Sequence, residues 1–450
     1  MGNDMKERES GIALIPFGLF IFLIVGTGII LDKMGVEQPF YQLPASTAAF
    51  VAIVAAFILY KGSIEEKMNS FFRGCANENV AVMYMTCFLA GSFAEVAKAS
   101  GGVDAVVNFC LSIMPPAYLT VGMFVVAAFM SLATGSSSGT VAALGAIACS
   151  VGEKAGLNMA MLLAAILSGA FFGDNLSIIS DTTIVAARTQ GCEMKDKFKI
   201  NFYIAVPAAI ITAILYFILG KPETVVEVQA GTYSLIKILP YIYVLVMSIV
   251  GMNVFVVLGS GTILAGVIGM VSGSLNLLSF GQTIYTGFSG MTEIVLLAIF
   301  IGGLSNMMAE QGGLNYLMKR IRKLVKGRKS AEVGIAVLVS AADVAVANNT
   351  AAIIVSGDIA KEISREYKVD PRRSASLLSI FSCVAQGLIP YGNQILLIGV
   401  LASGAVAPVE IIPYMWYVVI LGVFAVVSIF VPYADALLRK EPWKWSEEKN

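Results

Sequence analysis

The chain reads GAFFGDNLSIISDTT from Gly169 to Thr183, directly after the apolar, helix-like run from Met159 to Phe172. This stretch places two carboxylates, two serines, two threonines and an asparagine where a bilayer should still surround the chain. Charge is costly in hydrocarbon, so ionisable residues within a membrane segment usually face a cavity and mark an ion or proton path. Gly173-Asp174-Asn175 is typical of a turn, which predicts a break in the helix. The spacing Gly169-x-x-x-Gly173 is typical of close helix packing.

The composition indicates a polytopic membrane protein. Of 450 residues, 57% are hydrophobic and 13% are charged, which is too little polar material to cover a soluble fold. The net charge is zero, so nothing indicates a nucleic-acid partner. The six cysteines are scattered without a C-x-x-C pair, which favours buried apolar roles over metal or disulfide roles.

The chain contains no histidine. Gly135-Ser-Ser-Ser-Gly139 fits G-x-S-x-G, but a Ser-His triad cannot form, and histidine-based metal or haem ligation is excluded as well. No Walker loop is present, so ATP is not the energy source. We therefore expect a protein that is not an enzyme and that has no cofactor.

Lysine and arginine predict the topology, because loops rich in them are retained in the cytoplasm. These loops are Lys61–Arg73, Arg188–Lys199, Lys319–Lys329, Lys361–Arg373 and the start of the tail at Arg439 and Lys440. The poorly basic segments, which should face outward, are Asp32–Pro44, Gly101–Tyr118, Glu153–Asn158, Gly220–Ser234, Ser272–Gly290 and Gly404–Pro413. The prediction is a multi-pass protein of the cell (plasma) membrane with both termini in the cytoplasm.

Ten apolar runs predict ten spans, five in each half. The first five are Gly11–Ile30, Ala45–Tyr60, Val80–Lys98, Met159–Ala187 (broken) and Asn201–Leu219. The second five are Ile236–Asn253, Val254–Val271, Thr292–Ala309, Ala375–Ser403 (broken) and Pro413–Tyr433. At the uncharged turn near Met252-Asn253, one long tilted helix is an open alternative.

Two intervals are predicted to enter and leave the membrane on the same side. Ser330–Ala360 lies between two basic loops, so both of its ends are assigned to the inside. Each arm would have about 13 residues, or roughly 20 Å, which is short of a span of ~20 residues. We expect a re-entrant hairpin with Ala347–Thr350 at its tip, and a second one in Tyr118–Gly152 with Gly135–Thr140 at its tip.

The two halves look like copies. Glu95–Gly102 aligns with Asn306–Gly313, and Asn175 then falls opposite Asn393. Matching loops carry opposite charge bias, which indicates an inverted-topology repeat of five spans and one hairpin in each half. The predicted divisions are a cytoplasmic N-terminus (1–10), the first repeat (11–220), an extracytoplasmic connector (221–235), the second repeat (236–433) and a cytoplasmic tail (434–450).

The run from Gly173 to Thr183 resembles the signature of the NhaC-type sodium/proton antiporter family, Gly-Asp-polar-x-Ser-x-x-Ser-Asp-Thr-Thr. The resemblance covers most of the chain and is strongest in Gly135–Lys199 and Val346–Gln394. It implies a secondary transporter that exchanges Na⁺ for H⁺ by alternating access, with membrane lipid and these two ions as its partners. It leaves a homodimer open.

The paired tips and breaks also resemble the wider ion transporter superfamily, which includes sodium-coupled dicarboxylate carriers. That resemblance implies scaffold and transport domains. The tips read Ser-Gly-Thr and Asn-Asn-Thr in place of the carriers' Ser-Asn-Thr, which disfavours a dicarboxylate substrate.

The two tips and the two breaks should meet near the midplane, where a twofold repeat places its site. A hard cation prefers the oxygens of carboxylate, hydroxyl and carbonyl groups. The predicted proton- and cation-binding residues are Asp174, Asp181, Asp343, Asn175 and Ser177; the tip ligands are Ser138, Thr140, Asn348, Asn349 and Thr350, with Asn393 at the second break. Na⁺ is placed at Asp174, Thr140 and Thr350.

The proton carrier must be a carboxylate, because histidine is absent. Asp174 is the first choice and Asp343 the second. Asp358 is expected to be solvated, and Glu95 is expected to pair with Lys98 at helical spacing.

Two other functions stay open. One is an organic-acid carrier, either a malate–lactate type antiporter or a sodium-coupled carboxylate transporter. An anion carrier would need Lys or Arg at the site, and apart from Lys98 the nearby spans offer none, although helix N-termini could replace them. The other is a passive cation channel, which the broken-helix repeats disfavour.

Overall fold

The computed structural model describes residues 9–36, 42–113, 115–177, 180–222, 233–250, 252–323, 325–402 and 406–443. Every regular element in these ranges is a helix, as expected for a polytopic membrane protein. All five predicted divisions include residues outside the described ranges, and for the N-terminus (1–10), the connector (221–235) and the tail (434–450) these are a large share of the division.

The first half contains eleven α-helices in the described residues. They are α1 (Ile15–Ile21), α2 (Thr27–Lys33), α3 (Ala45–Leu59), α4 (Ile64–Cys75), α5 (Glu78–Ala99), α6 (Gly102–Ile113), α7 (Leu119–Thr134), α8 (Ser137–Ala155), α9 (Met159–Leu176), α10 (Asp181–Gln190) and α11 (Met194–Leu219). A 3₁₀ turn (Gly11–Leu14) precedes α1, and a π segment (Phe22–Gly26) joins it to α2.

The second half contains twelve α-helices in the described residues. They are α12 (Leu235–Ile249), α13 (Val254–Val271), α14 (Leu277–Gly290), α15 (Thr292–Glu310), α16 (Gly313–Arg322), α17 (Arg328–Val346), α18 (Asn349–Glu366), α19 (Pro371–Gln386), α20 (Asn393–Leu401), α21 (Pro408–Ile411), α22 (Trp416–Phe430) and α23 (Ala436–Lys440).

Each predicted span contains helix, but fewer than ten stretches of the described chain are long and apolar enough to cross a membrane. Six meet that condition, or seven when the bent pair Pro408–Tyr414 and Trp416–Phe430 counts as one. Helix α3 has only 15 residues. Asn253 caps α13 and α12 ends at Ile249, so this turn separates two helices rather than lying within one.

The predicted hairpins are present as helix pairs, α7 with α8 and α17 with α18. Gly135 and Ala347 adopt left-handed backbone at the tips, with φ of 68° and 52°. Ser136 and Asn348 then cap the returning helices by accepting from backbone N–H groups. The arms of the first pair have 16 and 19 residues. Those of the second pair, for which about 13 residues each were predicted, have 19 and 18. Each helix extends beyond its apolar stretch into the neighbouring polar residues. The number of residues in an arm therefore does not establish whether the hairpin enters and leaves the membrane on the same side.

Several segments that were predicted to be loops are helices, namely α4, α6, α14 and α16. In α14, Asn276 and Ser279 form a capping box, and apolar side chains such as Phe280 pack on the core. The predicted outward loop Ser272–Gly290 is therefore mainly helix.

Helix α4 packs along α15, and α14 packs along α5. In the first pair Gly74 lies directly against the backbone of Gly302, and in the second Gly91 and Gly287 lie against each other. A Cβ at Gly91 would come within 2.5 Å of the Gly287 carbonyl oxygen, and the reverse also holds. Both crossings therefore require glycine, because any side chain would separate the backbones.

The predicted basic segments contact one another, as do the poorly basic ones. Contacts among the basic segments and the termini are Glu9–Lys319, Arg322–Glu362 and Arg372–Glu441. Contacts among the poorly basic segments include Asp104–Lys154 and Thr120–Gly220, and Ser100 at the end of α5 accepts from Ser274. These contacts bring the named basic segments together and the named poorly basic segments together, which is consistent with the charge pattern.

Candidate functional site

A polar cavity of about 110 Å³ lies where the two tips and the two helix breaks meet. The predicted residues that line it are Asp174, Asp181, Ser138, Asn348, Asn349, Thr350 and Asn393. Val82 and Thr86 of α5 and Val254 of α13 close its remaining sides. The predicted convergence of four elements is thus present in the structure.

The first break begins later than the turn-like sequence predicts. Helix α9 continues through Gly173, Asp174 and Asn175 to Leu176, and the chain leaves the helix at Ser177. Gly173 is needed for packing, because a Cβ there would collide with Ser131 of α7. The spacing of Gly169 and Gly173 therefore serves close packing, as predicted, and does not break the helix.

Asp174 is buried and is held by one tip and one break. Ser137 Oγ donates to Asp174 Oδ2 at 2.5 Å, and the Ser137 backbone N–H donates to Oδ1 at 3.3 Å. Ser180 Oγ donates to Oδ1 at 3.3 Å. Asp174 has no ion-pair partner among the described residues. A carboxylate without a basic partner is available to a cation or a proton from the cavity.

Asp181 opens α10 and is exposed at the cavity. Four helices, α8, α10, α18 and α20, begin at this site, so four helix N-termini bring partial positive charge to it. Asp174 and Asp181 are the only carboxylates among the lining residues that the structure describes, and no lysine or arginine is among them. The two carboxylates therefore offset the helix N-termini and provide the negative charge of the cavity.

The tips and the second break are joined directly. Asn393 Nδ2 donates to Ser138 Oγ at 3.2 Å, linking α20 to α8. Asn348 Oδ1 caps α18, and Asn349 Oδ1 accepts from the Thr350 backbone N–H. The Thr350 side chain lines the cavity.

Four of the predicted residues do not line the cavity: Asp343, which is described below, and Thr140, Asn175 and Ser177. Thr140 is buried, and its Oγ1 donates to the Ser136 carbonyl at 2.9 Å. Asn175 and Ser177 are also buried and lie behind the cavity, where Asn175 Nδ2 donates to the Phe171 carbonyl. Successive side chains near a helix break point in different directions, so residues that are neighbours in the sequence need not line the same cavity.

Lys197 was assigned to a cytoplasmic basic loop, and that assignment was wrong. It is fully buried in α11, where its Nζ donates to the Asn175 carbonyl at 3.0 Å and to Thr183 Oγ1 at 2.8 Å. Asn201, one turn later, donates to the same Asn175 carbonyl. The Lys197 amino group thus donates to a carbonyl at the end of α9. The sequence carries a signal for this buried role: Lys197 and Asn201 are polar and lie four residues apart at the start of an apolar helix.

Asp343 is fully buried in α17 and reaches the site through two glutamines that the sequence analysis did not select. One terminal amide atom of Gln386 lies 3.0 Å from Asp343 Oδ1, and the other lies 2.9 Å from Gln394 Oε1. Gln394 Nε2 donates to Ser137 Oγ at 2.9 Å. Asp343 is therefore connected to Asp174 through three side chains.

The molecule contains two larger cavities, and the smaller of these shares Asn348 and Asn393 with the polar cavity. One, of about 460 Å³, is lined by Glu95 and Glu293 among others, and the second, of about 190 Å³, by Asn77 and Asn306. The linings of both include Leu297, Tyr391 and Leu396. These three side chains therefore lie between the two cavities.

Two other acidic residues can be placed. Asp358 is exposed, in agreement with the solvated position that was predicted for it. Glu95 forms no ion pair with Lys98 in the part of the chain that the structure describes, so that pairing was wrong. Lys98 is exposed, whereas Glu95 is turned toward the larger cavity.

Comparison with known proteins gives one family. The model of the Na⁺/H⁺ antiporter family matches the chain twice, over residues 12–221 and 223–432. Among curated relatives, a malate-2H(+)/Na(+)-lactate antiporter of Bacillus subtilis is 23% identical over 438 residues, which is 90% of each chain. The Na(+)/H(+) antiporter NhaC of Alkalihalophilus pseudofirmus is 30% identical over 49% of this chain and 51% of its own. An arginine/ornithine antiporter of Halobacterium salinarum is 24% identical over 99% of this chain and 96% of its own.

Proposed function

Because the chain belongs to the Na⁺/H⁺ antiporter family, we propose that it exchanges Na⁺ for H⁺ across the cell membrane by alternating access. The observation that carries the proposal is the polar cavity, which holds two carboxylates and, among its described lining residues, no basic side chain. Such a cavity attracts cations and protons, and both compete for the same carboxylate oxygens.

Asp174 is the group at which the ions compete. It is buried, it faces the cavity, and its charged form is supported only by neutral donors from Ser137 and Ser180. Na⁺ would bind the ionised carboxylate and complete its shell with oxygens of the tips and of the second break. Of the predicted tip ligands for Na⁺, Thr350 is kept and Ser138 replaces Thr140, because Thr140 Oγ1 donates to a carbonyl of its own helix. Asp181, at the exposed side, would draw cations toward the site.

The two halves are proposed to be an inverted repeat, 11–220 and 236–433. Two observations support this. The same family model matches 12–221 and 223–432, a constant shift along the chain. The α4–α15 and α14–α5 crossings both bring two glycines together, since Gly74 meets Gly302 and Gly287 meets Gly91, and Gly91 and Gly302 lie at matching positions of the two matches. Repeats of this kind support alternating access by letting the two halves exchange conformations.

The two larger cavities are proposed to be the access routes from opposite sides. Their linings correspond under the repeat, because Gly91 and Glu95 line one while Gly302 and Asn306 line the other. Tyr391 separates them, and its hydroxyl donates to the Val344 carbonyl at 2.9 Å. An inward position of both termini follows from the basic loops under the positive-inside rule. Single cysteines at positions 154 and 368 should then be labelled from opposite sides of the membrane, and labelling from one side would overturn the inverted repeat.

The exchange is tested with purified protein in liposomes that contain a pH-sensitive dye. Na⁺, Li⁺, K⁺, malate and lactate are added in turn. Na⁺ alone should drive proton movement, and no single-channel current should be recorded. Proton movement that requires malate or lactate would favour the second candidate, an organic-acid antiporter.

That second candidate has its own support. Four helix N-termini converge on the cavity and could hold a substrate carboxylate. The malate-2H(+)/Na(+)-lactate antiporter also aligns with 90% of the chain. Against it, the buried Lys197 directs its ammonium group to Asn175 and Thr183 and does not line the cavity.

A further inference from the structure

One side of the polar cavity is formed by residues that belong neither to the tips nor to the breaks. They are Val82 and Thr86 of α5 and Val254 of α13. All three side chains are neutral, and the Thr86 hydroxyl donates to the Val82 carbonyl of its own helix at 2.8 Å. This side of the cavity therefore adds no charge to the two carboxylates that flank the first break.

The family model gives these three residues counterparts in the other half of the chain. Its two matches, 12–221 and 223–432, begin 211 residues apart and also end 211 residues apart. All three counterparts line the larger of the other two cavities, of about 460 Å³. The same offset of 211 residues pairs Val82 with Glu293, Thr86 with Leu297 and Val254 with Leu43.

The structure supports the pairing in both places. Gly91 of α5 and Gly302 of α15 are also 211 residues apart, and each lies against a glycine of a neighbouring helix. The N-caps of α3 and α13 are 209 residues apart. That offset would pair Val254 with Ala45, which lines the same cavity. The third pairing therefore leads to this cavity with either offset.

The polar cavity is connected to only one of the two larger cavities in the described part of the chain. It shares Asn348 and Asn393 with the smaller one, of about 190 Å³, and no described lining residue with the larger one. The lining of the smaller cavity includes Asn77, which closely follows the first basic segment, whereas the larger is lined by Pro44 and Pro408 of the poorly basic segments. By the charge pattern, the site is thus connected to the inside.

We propose that the site exchanges this part of its wall during transport. Val82, Thr86 and Val254 close it while it opens inward, and their three counterparts close it while it opens outward. In an inverted repeat the second conformation arises when each half adopts the arrangement of the other. Glu293 then takes the place of Val82 and adds a third carboxylate to the site.

Glu293 is available for this role. It is exposed at the larger cavity, and it has no ion-pair partner among the described residues. It is thus a cation-binding residue of the outward-facing conformation alone, and Na⁺ meets a more acidic site from outside than from inside. This inference rests on the proposed function.

The test measures Na⁺-driven proton movement from each side of the membrane with a pH-sensitive dye. Right-side-out vesicles, from cells that lack Na⁺/H⁺ antiporters of their own, present the outer face to added Na⁺, and everted vesicles present the cytoplasmic face. A unit charge about 4 Å from a cation changes its affinity about fivefold even in water. Glu293→Gln should therefore raise the half-saturating Na⁺ concentration about fivefold or more in right-side-out vesicles and leave it unchanged in everted vesicles.

Glu95→Gln is the matched control, because Glu95 also places a carboxylate at the larger cavity. Its counterpart at the same offset is Asn306, which lines the smaller cavity and not the polar cavity. Glu95→Gln should therefore leave the half-saturating Na⁺ concentration unchanged from both sides. Equal shifts in the two variants, a shift of Glu293→Gln that is the same from both sides, or no shift at all would overturn the inference.

The reverse change tests the pairing of Val82 with Glu293. Val82→Glu places a carboxylate on the present wall and should lower the half-saturating Na⁺ concentration in everted vesicles only. A rise or no change there would count against the pairing, and if this variant does not fold, the Glu293→Gln comparison decides alone. A failure of the proposed function looks different, because the unchanged protein would then move no protons in response to Na⁺ in either kind of vesicle.

Discussion

Ser137→Ala removes the shortest hydrogen bond to the Asp174 carboxylate, 2.5 Å from Oγ to Oδ2. A hydrogen bond to a charged group contributes about 1.5–3 kcal/mol. The remaining donors, the Ser137 backbone N–H and Ser180 Oγ, are both at 3.3 Å and cannot replace it at full strength. We take a loss of about 2 kcal/mol for the ionised carboxylate, which corresponds to a factor of roughly 30.

Because Na⁺ binds the ionised form, the half-saturating Na⁺ concentration should rise by about 10- to 30-fold at a fixed pH. The assay is Na⁺-driven proton movement in liposomes, read with a pH-sensitive dye over a series of Na⁺ concentrations. The matched control is Ser131→Ala, which removes a buried hydroxyl that donates to the neutral Ala170 carbonyl at 2.6 Å. Ser131→Ala should lower thermal stability slightly and leave the Na⁺ dependence in place. An unchanged Na⁺ dependence in Ser137→Ala, or an equal change in both variants, would refute the reasoning.

The other variants test the tips and the buried lysine. Thr350→Val should raise the half-saturating Na⁺ concentration several-fold, because Thr350 lines the cavity. Thr140→Val should leave that concentration unchanged, because the Thr140 hydroxyl donates to the Ser136 carbonyl. Equal effects of the two variants would contradict this placement. Lys197→Met removes two hydrogen bonds that hold the first break and should lower the free energy of unfolding by about 1–3 kcal/mol. Lys199→Met, at a half-exposed surface position, is the control, and equal melting temperatures for the two lysine variants would count against the role of Lys197.

The sequence predicts local features of this fold well, because they depend on local chemistry. Apolar runs become helices, and the tips form where Ser136 and Asn348 can cap a returning helix. The helix breaks at Ser177 and near Asn393 also fall close to the predicted positions. The turn at Asn253 likewise ends one helix and caps the next.

Features that depend on tertiary contacts could not be predicted. The density of basic residues assigned Lys197 to a loop. Its hydrogen-bond partners, a carbonyl and a hydroxyl, lie on another part of the chain and could not be recognised from the local sequence. Gln386 and Gln394 gain their importance only when α19 and α20 approach Ser137 and Asp343. Whether the Thr140 side chain points into the cavity depends on how α8 is rotated about its own axis. The sequence near the tip does not determine that rotation.

The most direct test of the account is Asp174→Asn, measured beside Asp358→Asn in liposomes with a Na⁺ gradient and a pH-sensitive dye. Both changes keep the side-chain shape and remove one carboxylate, but Asp174 is buried at the cavity and Asp358 is exposed. The account predicts that Asp174→Asn abolishes Na⁺-driven proton movement and that Asp358→Asn retains it. Full, pH-dependent exchange by the Asp174→Asn protein would contradict the account.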